Sequence, residues 1–320
     1  MIKIDLITGF LGAGKTTFIK KYAEYLVRKG QHICILENDF GAVNVDMMLM
    51  QEELNDNCDL EMVAGGCDRD CHQRRFKTKL IAMGMRGFDR VLVEPSGIFD
   101  VDEFFDVLRE EPLDQWYEIG SVITVVDAGL PESLSDAGEY LLAAQAAGAG
   151  CILFSKCQMV SNERLLASIE HLKRALRKVR CSRETEGALL CKSWDLLTDR
   201  DMERIADSGV CHASFEKYWF DQDQEFQTIY FMNQPLNGKS LAEKAKEALE
   251  NPVYGNVERI KGFVREGEGW LECNAAREDF SLKPIPSGQE IIIVIGENME
   301  KERLEALFGD EHKQNPLSEI

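Results

Sequence analysis

The run Gly9-Phe10-Leu11-Gly12-Ala13-Gly14-Lys15-Thr16-Thr17 has the residue types and spacing to hold a polyphosphate. Glycines at such a turn let the backbone N–H groups of Gly9, Gly12, Ala13 and Gly14 curl around phosphate oxygens, and a following helix adds its positive N-terminal end. Lys15 can reach the terminal phosphates, the Thr16 hydroxyl can ligate Mg²⁺, and Thr17 extends the same helical turn. Val91-Leu92-Val93-Glu94-Pro95-Ser96-Gly97 supplies a complementary pattern, an apolar strand that ends in an acid with a glycine three residues on. Glu94 would hold Mg²⁺ and the Gly97 N–H would sense the γ-phosphate. The catalytic candidates are therefore Lys15, Glu94 and Gly97.

Two further segments follow apolar runs. Glu37-Asn38-Asp39-Phe40-Gly41 lies where a first switch would lie, with Asp39 or Glu37 within reach of a cation. Leu153-Phe154-Ser155-Lys156-Cys157-Gln158 occupies the place of the base-reading Asn-Lys-x-Asp of guanine-binding proteins, with Ser155 for the asparagine and Gln158 for the aspartate. A neutral amide accepts less strongly than a carboxylate, so guanine preference should weaken, while Lys156 can still lie along the base plane. GTP is the expected nucleotide.

Gly65-Gly66-Cys67-Asp68-Arg69-Asp70-Cys71-His72 is a third candidate. Cys67 and Cys71 are one helical turn apart and His72 adjoins them, a set suited to Zn²⁺ or a similar ion. Glu37, Cys58 or a second copy of the chain would complete a tetrahedron. The same residues also fit a pair of loop cysteines beside a surface histidine. Arg69, Arg74, Arg75, Lys77 and Lys79 read either as a solvated helix face or as charge facing the phosphates.

These groups need elements to position them. Ile2–Thr8 reads as a buried strand before the phosphate loop. Further strands are expected at Ile33–Glu37, Arg90–Glu94, Ser121–Asp127 and Cys151–Ser155. They alternate with helices at Thr16–Lys29, Val101–Glu110, Ser133–Ala147 and Glu163–Val179. Such alternation predicts an α/β fold, a mostly parallel P-loop-type sheet with helices on both faces and ligands at the C-terminal strand ends. After Ser214 the pattern changes to strands at Phe226–Met232, Val257–Val264, Trp270–Cys273 and Ile291–Ile295, with helices at Ser240–Leu249 and Met299–Phe308. The expected organisation is a nucleotide domain over 1–214, an α+β domain over 225–308 and a frayed tail over 309–320.

The 320 residues carry 56 acidic against 37 basic side chains, a net charge of −19. Such a chain repels nucleic acid and anionic lipid. No export signal or membrane span is legible, and ten cysteines then suggest reduced thiols in a cytoplasm.

In this order the phosphate loop, the Glu37–Asp46 segment, the Gly-Gly-Cys segment, Glu94-Pro95-Ser96-Gly97, Val125-Val126-Asp127-Ala128, Val257–Phe263 and Ile292–Gly296 resemble the CobW-like GTPases over nearly the whole chain. That is a metallochaperone family related to the nickel-insertion GTPases. The resemblance implies GTP hydrolysis with Mg²⁺, and binding of zinc, cobalt or nickel for delivery to a client metalloprotein or cofactor-synthesis enzyme. It implies that Gly12, Gly14, Lys15, Thr16 and Thr17 bind phosphate and Mg²⁺, that Ser155, Lys156 and Gln158 contact the base, and that Glu37 and Cys67 hold the metal. The family usually shows Cys-x-Cys-Cys, whereas here Cys67 is followed by Asp68-Arg69-Asp70-Cys71-His72. Two other functions fit the loop alone: a phosphotransferase, and a nucleotide-binding regulatory module without catalysis.

Overall fold

In a computed structural model the described residues are 1–39, 57–64, 69–95, 101–217, 226–276, 279–285 and 288–309. The chain divides into two compact units, Met1–Trp219 and Phe220–Ile320. The tail from residue 310 lies outside the described residues.

The first unit is built on strands β1 (Ile2–Thr8), β2 (Ile33–Asp39), β3 (Cys58–Ala64), β4 (Arg90–Pro95), β5 (Tyr117–Asp127), β6 (Cys151–Ser155) and β7 (Leu189–Cys191). They form one parallel sheet in the order β3-β2-β4-β1-β5-β6-β7. Its helices are α1 (Lys15–Arg28), α2 (Arg69–Gly84), α3 (Val101–Leu108), α4 (Leu113–Trp116), α5 (Asp136–Ala147), α6 (Asn162–Lys178) and α7 (Asp199–Ala206). The central strands are apolar on both faces because both are covered. Ile7, Ile35, Leu92 and Val125 pack under α1 and α7, whereas Leu6, Leu36, Val93 and Val126 pack under α2, α3, α5 and α6.

Several boundaries shift for local reasons. α5 starts at Asp136 rather than Ser133 because Ser135 is its N-cap, accepting from the Gly138 N–H at 3.0 Å. α3 stops at Leu108, and Glu110 accepts the Leu113 N–H at 2.9 Å instead of continuing the helix. β3, β7, α4 and α7 are additional to the elements expected from the sequence.

Inside the sheet, Asp5 accepts hydrogen bonds from Tyr22 Oη (2.8 Å), Arg90 (2.7 Å) and the Ser121 N–H (2.8 Å). Arg90 also donates to the Ala206 carbonyl at 3.2 Å, which fastens the end of α7 to the sheet. Burial pushes the Asp5 carboxyl up, and the Arg90 guanidinium opposes that push.

The second unit has strands β8 (Phe226–Met232), β9 (Asn256–Glu266), β10 (Gly269–Ala276), β11 (Asp279–Ile285) and β12 (Ile291–Glu297), with helices α8 (Gly238–Glu250) and α9 (Lys301–Phe308). The strands make an antiparallel sheet in the order β11-β10-β9-β12-β8. Leu241 and Ala245 of α8 and Leu304 and Phe308 of α9 pack on Ile260, Val264, Ile292 and Val294. Among the described residues no helix is long and apolar enough to cross a membrane.

Candidate functional site: a phosphate loop between two sets of strand ends

β1 delivers the chain directly into the phosphate loop, and α1 begins at Lys15. The loop is tight: a Cβ on Gly9 (φ +144°) would sit 2.2 Å from the Val125 carbonyl oxygen, so only glycine lets the two backbones meet. Ala13 is buried and closes the turn by donating its N–H to the Phe10 carbonyl at 3.2 Å. Gly14 (φ +94°) is the N-cap of α1 and makes no side-chain cap bond. The first-turn N–H groups of Thr16 and Thr17 have no carbonyl four residues back within the helix and lie at the end where a helix attracts an anion. Lys15 is buried and donates from Nζ to the Gly9 carbonyl at 2.9 Å, which holds its ammonium against the loop.

At the β4 side of the loop, Thr16 Oγ1 donates to Glu94 Oε1 at 2.8 Å. A hydroxyl and a carboxylate so placed form a donor set for a hard cation, and the pair fits Mg²⁺. Glu37 pairs in register with Glu94 across β2 and β4. Side chains paired in register share one face, about 4.8 Å apart, so the two carboxylates stand side by side on the face that α1 covers. Met62 of β3 is the register partner of Glu37 on the other side.

The segment proposed to bind a transition metal follows β3. Cys71 is half-buried in the first turn of α2, the helix that follows β3. Cys67 and the side chain of His72 lie outside the described residues, as do Gly97 and the Asp39 side chain. Among the described residues no three metal-ligating side chains come together. Cys58 does not join Glu37. It pairs with Ile33, four positions from Met62, which is roughly 13 Å along the strand. Burial also pushes its thiol up to about 12, which keeps it protonated. The basic run on α2 divides: Lys77 pairs with Glu110, Lys79 pairs with Glu61 at 2.8 Å, and Arg74 is exposed.

On the opposite side of the loop, Ser155 is buried and donates to the Val126 carbonyl at 3.3 Å. Lys156 adopts φ +55° and its Nζ lies 2.8 Å from Asp127 Oδ2. Gln158 is exposed in the short 3₁₀ turn Cys157–Met159. Trp194, absent from the candidates read from the sequence, is the additional feature. Its Nε1 and the Ser155 side chain both lie within 4 Å of a Cβ built on Gly14. The indole packs against Phe18 of α1 with ring centroids 5.5 Å apart, and Asp195 pairs with Lys21 of the same helix at 2.7 Å. Thr198-Asp199-Arg200-Asp201 is the one signal in the sequence for this loop: it forms a capping box that starts α7 and so fixes where the loop ends.

Known proteins share this arrangement of sequence. Residues 3–185 match the family described as "CobW/HypB/UreG, nucleotide-binding domain". "Zinc chaperone YeiR" of Escherichia coli is 28% identical, over 88% of this chain and 89% of its own length. "Zinc-regulated GTPase metalloprotein activator 1" of Schizosaccharomyces pombe is 24% identical, over 94% of this chain and 83% of its own. Among solved structures, Zn(II)-bound YjiA GTPase from E. coli aligns over 96% of this chain and 98% of its own, with 18% identity and a TM-score of 0.36. With more than half of its length matched to that family and a phosphate loop built as its nucleotide-binding domain requires, the chain belongs to the CobW/HypB/UreG family of P-loop nucleoside-triphosphate hydrolases.

Proposed function

We propose that this protein binds and hydrolyses GTP and couples the nucleotide state to the binding and delivery of a transition metal, with zinc the first candidate and cobalt or nickel the alternatives. The observation that carries the reading is the line Thr16–Glu94–Glu37, in which the 2.8 Å bond from α1 to β4 continues by register into β2. β2 then neighbours β3, whose C-terminal end leads to Cys67, Cys71 and His72. A change at the triphosphate end of the loop therefore has a short route to the strand ends where the metal would sit.

In this reading Gly9, Gly12, Ala13, Gly14, Thr16 and Thr17 grip the phosphates and Lys15 leaves the Gly9 carbonyl for the terminal ones. Thr16 and Glu94 would hold Mg²⁺, which when bound would supply positive charge against the departing diphosphate. Gly97 and Asp39 act as the sensing ends of the two switch segments. Ser155, Lys156 and Gln158 border the base. Glu37, Cys67, Cys71 and His72 hold the cargo metal. Names of the relatives support zinc, since two of them print it. The nucleotide work belongs to residues 1–214, and residues 225–308 form the accompanying CobW-C-like α+β domain. The partner is a client metalloprotein or cofactor-synthesis enzyme in the cytoplasm, with a homodimer as one way to complete the metal site.

Tag-free protein, analysed for bound metal beside a Cys67→Ala/Cys71→Ala variant, tests the cargo site. Stoichiometric metal that disappears in the variant is expected. Equal metal content in both would reject the site.

A further inference from the structure

We infer that Trp194 is a nucleotide-contact residue whose indole forms an aromatic platform for the nucleoside end, so that base choice rests on stacking more than on a guanine-reading carboxylate. This rests on the nucleotide reading given above. The polarity of the site follows from the sheet order. Thr16 bonds to Glu94 on the β4 side of β1, so in that reading the cation and terminal phosphates belong there. The nucleoside must then leave the loop on the other side, across β5 toward β6 and β7. Gly14, the last loop residue before the helix, is where that path begins, and both Ser155 and the Trp194 indole edge approach it within 4 Å of a built Cβ.

The indole is held in place by its neighbours. Phe18 packs against it, Lys21 anchors Asp195, and Lys192 grips Asp201 through both carboxylate oxygens at 2.8 Å. A held aromatic ring loses little freedom on binding, and its face accepts any purine. The hydrogen-bonding side of the site is weaker. Gln158 offers an amide, and the neighbouring carboxylate of Asp127 already engages Lys156 and the Gly129 N–H (2.8 Å). A guanine therefore meets no dedicated carboxylate among Ser155, Lys156, Gln158 and Asp127.

Calorimetry with GDP and ADP in Mg²⁺ buffer tests this. The wild type should bind the two within about tenfold of each other. Trp194→Ala should weaken both by about tenfold and to a similar extent. Trp194→Phe, which keeps a ring against Phe18, should stay within about threefold of the wild type and lose the nucleotide-induced change in tryptophan fluorescence. Gln158→Asp, at an exposed position, should favour GDP over ADP by at least about tenfold. Unchanged affinities in Trp194→Ala, an unchanged fluorescence response in Trp194→Phe, or a wild-type preference for GDP above about a hundredfold would overturn the assignment. If Trp194→Ala does not fold, the Trp194→Phe fluorescence and the Gln158→Asp selectivity decide it. Absence of saturable binding of either diphosphate to the wild type would instead strike the nucleotide reading itself.

Discussion

Gly9 shows how a single residue type decides the site. Its φ of +144° and the 2.2 Å approach of any Cβ to the Val125 carbonyl leave no room for alanine, because the clash is with backbone. Gly9→Ala should destabilise the first unit by about 2–4 kcal/mol, read from urea unfolding, and should lower nucleotide affinity with it. Lys15 and Thr16 are the residues proposed to act later, in the chemistry. Lys15→Ala removes the charge aimed at the terminal phosphates and should cut phosphate release by at least about a hundredfold. The loop itself was legible because its glycine spacing dictates the turn into α1. Trp194 was not, since nothing local in Cys191-Lys192-Ser193-Trp194 tells that β7 will end beside Gly14. Cys58 shows the same limit: it begins β3, a strand length from the Ala64 end that leads to Cys67, which proximity in sequence hides.

Elements were legible where burial on both faces makes the sequence continuously apolar. Cys151–Ser155, buried throughout, has the bounds expected, and so does Phe226–Met232, although it is a partly exposed edge strand. β3 alternates Asp59 and Glu61 with Leu60 and Met62, as a strand on the sheet edge does, and lacks the run that marks a central strand. β7 is three residues long, and β11 is an edge strand that carries Pro284. α7 tests how helices are secured. Lys192 is the largest influence and, with the Thr198 N–H and hydroxyl, it holds the Asp201 carboxyl down at about 2 against the upward push of burial, which ranks second. Its folded pKa lies below the ordinary 3.8, so the stabilisation is complete above about pH 4 and is lost as the pH falls through about 2. The stability gap between wild type and Asp201→Asn should thus be widest near neutral pH and close toward pH 2. At the other end of α7, Asp5→Ala leaves Arg90 buried without its carboxylate and should cost about 3–5 kcal/mol in urea unfolding.

At the scale of the whole molecule, the parallel sheet is what lets the three segments be proposed as parts of one function. The phosphate loop, the Glu94 end of β4 and the Glu37 end of β2 all leave the same edge of the sheet, and α2 begins beyond β3 at that edge. The net charge of −19 suits a protein that handles cations and keeps away from polyanions. Coupling between two sites is reciprocal, so a metal that responds to nucleotide must alter nucleotide affinity by the same factor. A GTP titration in Mg²⁺ buffer, carried out by calorimetry on metal-free protein and on protein loaded with Zn²⁺, Co²⁺ or Ni²⁺, measures that factor. Loading with at least one of these ions should shift the GTP dissociation constant by about fivefold or more. Identical dissociation constants for the metal-free and all metal-loaded forms would contradict the account.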